Sequence, residues 1–371
     1  MPVPIAARAV APKLPALTSI RAVAAWWVVL FHTKDHLAPY VPPAILRVLG
    51  SGYIGVDLFF VLSGFVIELN YGDRLDGGLA AYVNFLERRF ARIYPLHFFI
   101  LCAAVLYALL VFAHSGRLTP NYNFAYLPAH LLLIQAWGVD PQLRWNDPAW
   151  SISTEMAAYI LFPLLAVGAR SRRWPLAAQI AAIAALVALL WAGLRALGIV
   201  EIGQDVMRAG LWRCLCEFAI GGVLCAIFLR QQGRIGRLTP ALLLLAAPVV
   251  GAVGLASGVS DIAFVPIAFA LLVLGLAFAN ARGRTLLDAR ALVYLGDISY
   301  STYLSHFLLL VLFKNFQPPG TLVPPLQLAL YFISVAAASV LLHTFVETRA
   351  QRLLLERMGL RARRIDTVGA P

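Results

Sequence analysis

Arg21 and His32 sit eleven residues apart in one apolar run. Eleven residues is just over three turns of an α-helix, so both side chains project from nearly one face, about 16 Å apart along the axis. Imidazole exchanges protons near neutrality, which suits it to serve as a general base. Further ionisable groups stand in other apolar runs: Asp57, Glu68, Glu155, Arg213, Glu217 and His306. Such groups are expensive in those surroundings and are usually functional. Asp57 or Glu155 would orient His32. Glu217 reads more simply as an i,i+4 partner of Arg213, and Asp57, two residues after Gly55, also suits a helix start. A different chemistry is written in Glu87-Arg88-Arg89-Phe90-Ala91-Arg92-Ile93-Tyr94-Pro95. Arg88 and Arg89 lie four and three residues before Arg92, giving one basic helix face whose forked donors suit phosphates. Basic flanks are equally the ordinary mark of a cytoplasmic helix end.

The elements that must hold these residues follow from composition. Of 371 residues, 61% are hydrophobic and 13% charged, against about 25% charged in soluble domains. That polar fraction cannot cover a globule of this size, which excludes a soluble enzyme, a disordered chain and a nucleic-acid-binding domain. What remains is an all-α polytopic membrane protein. Ten stretches are long and apolar enough to span a bilayer, at 17–38, 53–70, 95–114, 149–169, 176–196, 211–229, 240–258, 262–280, 294–314 and 326–346. Continuous runs without period-2 alternation argue for helices over a barrel. A shorter run at 126–138 is interfacial or re-entrant. With the N-terminus cytoplasmic, inner segments hold about three times as many Lys and Arg as outer ones, which places both termini inside. The run from Ala22 to Phe31 lacks a small-residue cleavage site after it, so it reads as the first span. The four cysteines, Cys102, Cys214, Cys216 and Cys225, read as small buried hydrophobes, because Cys214-x-Cys216 lacks zinc-site spacing.

Counted from the helix ends, His32, Asp57, Glu155, Glu217 and His306 fall in an outer-half layer, whereas the arginine face lies inside. That split suits a phosphorylated cytosolic donor and an acceptor handled in the membrane or beyond it. A multi-span transporter or flippase shares the same outline of intramembrane charges and short loops. The longest outer loop, 115–148, carries Asn121, Trp145, Asn146 and Asp147, a composition suited to a polar ligand or to solvent.

At the level of motifs the chain resembles acyltransferase family 3. Leu17-Thr18-Ser19-Ile20-Arg21 through Phe31-His32 resembles that family's opening, and Gly52-Tyr53-Ile54-Gly55-Val56-Asp57 through Ser63-Gly64-Phe65 its second-helix motif. Arg88-Arg89-Phe90-Ala91-Arg92-Ile93-Tyr94-Pro95 is similar to its cytoplasmic arginine motif. Trp150-Ser151-Ile152-Ser153-Thr154-Glu155 resembles its Trp-Ser-x-Ser-x-Glu segment, and Ile298-Ser299-Tyr300-Ser301 through His306 its late motif. The resemblance implies transfer of an acyl group, usually acetyl from acetyl-CoA, to a hydroxyl of a glycan, lipid-linked sugar or small exported acceptor. It assigns Arg21 and His32 to the transfer; on the reading of the residues above, His32 would act as general base or carry an acyl-histidine, oriented by Asp57 or Glu155. Arg88, Arg89 and Arg92, assisted by Arg21, would hold acyl-CoA. It further implies residence in the inner (cytoplasmic) membrane, with the lipid bilayer as a partner, no metal and no nucleic acid. Residues 1–346 would form the membrane domain and 347–371 a basic cytoplasmic tail, with no extracytoplasmic hydrolase domain. Three departures stand out: Thr18-Ser19 replaces the family's Asp-Gly, where a hydroxyl would serve as N-cap. Met156 follows Glu155 where a second glutamate is common, and Glu347-Thr348-Arg349 lacks the frequent Glu-x-Pro.

Overall fold

Proline opens many of the helices and glycine closes one of the longest, as helix-end chemistry dictates. The computed structural model describes residues 12–315 and 322–360, and all regular structure among them is helical. Helix α1 (Pro15–Leu37) starts at a proline, and α2 (Pro43–Gly50) leads through a tight turn into α3 (Gly55–Tyr71). Helix α4 (Gly78–Ser115) ends at Gly116, whose φ of 68° is the left-handed cap that favours glycine. The 116–148 segment holds the short α5 (Leu127–Leu131) among brief helical turns. Then come α6 (Ala149–Ile160), α7 (Phe162–Leu165), α8 (Val167–Ser171), α9 (Leu176–Ala196) and α10 (Val206–Gln231). Helices α11 (Thr239–Ser257), α12 (Asp261–Arg282), α13 (Arg290–Asp297), α14 (Ser299–Lys314), α15 (Pro325–Leu342) and α16 (Thr348–Arg357) complete the chain.

Eight helical runs among the described residues are long and apolar enough to cross a membrane. The two further stretches expected from sequence, 149–169 and 294–314, are helical but interrupted. The first breaks near Leu161 and Ala166, the second at Ile298. Helix α10 is the most deeply buried of the eight, and α9, α11 and α15 turn most of their surface outward. Helix α10 packs along α3 at backbone distance: a side chain on Gly64 would overlap the Phe218 carbonyl, and one on Gly221 the Val61 carbonyl. Small residues at such crossings let apolar helices approach closely where no hydrophobic effect drives them together.

Several details depart from the sequence reading. Helix α4 runs 38 residues, about 57 Å, so the arginine run lies inside one continuous helix rather than before it. Pro95 is accommodated within that helix, where it lacks the N–H for the Ala91 carbonyl. Thr18 and Ser19 are no N-cap, because α1 has already begun at Pro15; the Ser19 hydroxyl donates instead to the Leu287 carbonyl at 2.6 Å. Cys102 is exposed on α4, and only the other three cysteines are buried. The final helical run continues past residue 346 through a wide turn, His343–Glu347, into α16. Of the basic termini, Arg8, Arg361, Arg363 and Arg364 lie outside the described residues.

Candidate functional site

Helix α1 lies along α13 and α14, so its polar face is read out by those two helices in turn. Near the C-terminal end of α1 His32, half-buried, meets fully buried His306 of α14, with Nδ1 of the first 3.2 Å from Nε2 of the second. Each ring also reaches a carbonyl of its own helix: His32 Nδ1 lies 2.9 Å from Val28 O, and His306 Nδ1 2.6 Å from Tyr303 O. Phe31 and Phe307 meet the His32 ring edge-on. Lys34 and Lys314 act on it electrostatically.

Neither expected carboxylate is hydrogen-bonded to His32 among the described residues. Asp57 is fully buried and grips Arg213 of α10 with both carboxyl oxygens. The same guanidinium donates to the Ile202 carbonyl at 3.0 Å and lies over the Trp150 ring. Arg213 thus pairs with Asp57 rather than with Glu217, whose buried carboxyl lies against that of Asp57. Spacing along one helix favoured the local pair, but the close crossing of α3 and α10 supplies a better one. Glu155 accepts hydrogen bonds from Ser63 and Tyr159, each at 2.5 Å. Ser63 lies six residues, about 9 Å, inward of Asp57 on α3, so Glu155 sits deeper than the layer expected for it. From there it acts on Arg89, Tyr300 and Tyr303.

The end of α1 nearer its N-terminus gathers the arginines from separate helices. Arg92 feels the positive charges of both Arg21 and Arg89, so the motif on α4 and the first arginine of α1 do converge. Arg21 makes no hydrogen bond or ion pair among the described residues. Arg89 lies over the Tyr71 ring and donates to its hydroxyl at 3.3 Å, while its Nε is buried without a partner. Arg88 forms no ion pair among the described residues. Arg92 differs. It is paired with fully buried Glu347, which also accepts from the Ser301 hydroxyl at 2.7 Å. Tyr300 lies beneath the Arg92 guanidinium and donates to the Ile93 carbonyl at 2.8 Å. Sequence reasoning missed Glu347 as a site residue. A carboxylate one position beyond the expected end of the last span was the available signal, and the tail assignment absorbed it.

The 115–148 segment is ordered by packing against α6 and α14. Asn146 donates to the Leu304 carbonyl, Trp145 is buried against Tyr122 and Phe124, and Asp140 holds both His130 and Arg144. The 126–138 run folds back so that the Ser153 hydroxyl donates to the Leu133 carbonyl. Burial pushes the Asp147 carboxyl up to about 6, against the pull of Lys314. Burial likewise holds the His130 imidazole below its ordinary value, although Asp140 draws it the other way.

Chemically, this arrangement offers a proton acceptor at one end, unpaired guanidinium donors at the other, and a hydroxyl- and carboxylate-lined interior between. The orphaned Arg89 Nε fits an anionic oxygen, so a phosphorylated donor entering from the arginine end meets charge it would neutralise. Comparison with known proteins places the chain in a family. A family model described as an acyltransferase domain matches residues 14–344. The chain is 32% identical over 375 residues, covering 92% of each chain, to a Streptomyces mycarofaciens protein named acyltransferase MdmB. It is 29% identical over 185 residues to protein 2 in the picA locus of Rhizobium radiobacter, covering 46% of this chain and 92% of that one. Similarity to the O-acetyltransferase OatA of Staphylococcus aureus is 24% over 162 residues, covering 41% of this chain and 24% of that one. No solved structure matches.

Proposed function

Because the chain belongs to acyltransferase family 3 and is an acyltransferase, we propose that it moves an acetyl group from cytosolic acetyl-CoA to a hydroxyl of a glycan or other exported acceptor. The observation that carries this reading is the convergence of Arg21, Arg89 and Arg92 at one end of the α1 polar face, with His32 at the other. Arg88, Arg89 and Arg21 hold the phosphates of the donor. Arg92 is oriented by Glu347 to complete that cluster. The extended pantetheine arm then has the three-turn length of α1 to reach His32, past Glu155 and Tyr300. His32 removes the acceptor's hydroxyl proton, the oxygen bonds to the thioester carbonyl carbon, and the carbon–sulfur bond breaks. The departing thiolate takes up the proton from His32. Asp57 supports this chemistry through Arg213, by bracing α3 against α10. The basic residues support ten spans with both termini cytoplasmic, in the inner membrane of the cell.

The test is wild type beside His32→Ala in nanodiscs, supplied with acyl-labelled acetyl-CoA and a panel of glycan and small hydroxylated acceptors. Acceptor-dependent CoA release should fall by about 10²–10⁴-fold in the variant, with donor binding retained. Near-normal turnover by correctly inserted His32→Ala would remove His32 from the chemistry. Failure of the wild type to bind CoA at all would revive the transporter reading.

A further inference from the structure

The two histidines constrain each other's protons. A carbonyl oxygen can only accept a hydrogen bond, so a neutral ring whose Nδ1 faces one carries its proton there. His306 Nδ1 faces Tyr303 O at 2.6 Å, which leaves His306 Nε2 a bare acceptor. That acceptor lies 3.2 Å from His32 Nδ1, which also faces Val28 O at 2.9 Å. Both partners of His32 Nδ1 therefore require it to be the donor, and its Nε2 is left with an open lone pair. His306 is itself fixed: its side chain is fully buried, and the Tyr331 hydroxyl of α15 donates to its carbonyl at 3.2 Å. The charged groups acting on His32 are Lys34 of its own helix and Lys314 of α14, both cations. No carboxylate is hydrogen-bonded to either imidazole among the described residues.

We infer that His306 is the positioning residue of the transfer, holding His32 in the Nδ1–H tautomer so that Nε2 is the atom that takes the acceptor proton. This inference rests on His32 acting as the base. When Nε2 gains the hydroxyl proton the ring is doubly protonated. His306 Nε2 then accepts a charge-assisted hydrogen bond from Nδ1, so the developing cation is shared without a buried carboxylate. Passing the Nε2 proton to the departing thiolate restores the starting tautomer. A neutral acceptor in the place that carboxylates occupy in serine-hydrolase triads matches a site whose only nearby formal charges are positive.

The experiment compares His306→Phe and His306→Gln with wild type and His32→Ala in nanodiscs. Glutamine reaches far enough to place its amide oxygen near the original Nε2, whereas phenylalanine keeps the ring but removes the acceptor. We expect kcat to fall about 10²-fold or more in His306→Phe with KM for donor and acceptor within about threefold, and His306→Gln to recover most of it. Protein labelled with ¹⁵N at its seven histidines supplies a readout independent of turnover. The resonance pair missing from His32→Ala should report an unprotonated Nε2 in wild type at neutral pH and a tautomer mixture in His306→Phe. An Nε2-protonated His32 in wild type overturns the inference even if His306→Phe fails to fold. So does full kcat in folded His306→Phe while His32→Ala is inactive. Normal turnover in His32→Ala would instead sink the parent reading.

Discussion

At the scale of single residues, paired charges do different work according to what each leaves unsatisfied. Arg92 and Glu347 neutralise one another in the interior, so removing the carboxylate strands a cation among Arg21 and Arg89. Glu347→Gln should raise the KM for the acyl donor about tenfold while changing kcat much less, as read from donor titrations at saturating acceptor. Asp57 and Arg213 form a buried pair with no hydrogen bond to either His32 or His306 among the described residues. Breaking such a pair costs about 3–5 kcal/mol, so Asp57→Asn should show first as a large loss of thermal stability in detergent. Its kcat per folded molecule should drop less than tenfold. A larger drop would return Asp57 to the neighbourhood of His32. Only spacing could be read for these residues beforehand. It placed Arg21 and His32 on one face correctly, and gave Arg213 the wrong carboxylate because Glu217 was near in sequence whereas Asp57 is near in space.

At the scale of elements, the site depends on how closely helices meet. The α3–α10 crossing is held at backbone distance by Gly64 and Gly221, and it carries Asp57, Ser63 and Arg213 into place. Gly221→Val would drive a branched side chain into the Val61 carbonyl region. We expect little folded protein from this variant, measured as monodisperse yield by size-exclusion chromatography, whereas Gly251→Val, on open space, should express normally. Helix α4 shows why boundaries were harder to read than composition. Pro95 looked like a helix start, but one missing hydrogen bond is tolerated in apolar surroundings where neighbours fix the helix. The arginine face consequently belongs to the same continuous helix as the span that follows it.

At the scale of the whole molecule, the 115–148 segment couples the periphery to α14. Asn146 reaches the Leu304 carbonyl and Asp147 lies within reach of Lys314. Because burial raises the Asp147 carboxyl from 3.8 to about 6, folding favours its protonated form. The stabilisation is complete below about pH 4 and is lost as pH rises through 6, at most about 3 kcal/mol. The melting temperature of wild type should therefore decline between about pH 4 and 6 relative to Asp147→Asn, and parallel curves would remove Asp147 as the source. The sequence by itself determined that this is a helical membrane protein, which motifs it carries, and that Arg21 and His32 share a face. Those properties depend on composition and on the helical period, both local. Only the tertiary structure decided that His32 turns to His306, that Glu155 sits with Ser63 and Tyr159, and that Arg92 is held by Glu347. Each of those partners is brought from another helix, and the register between helices is set by packing, which no single stretch of sequence encodes.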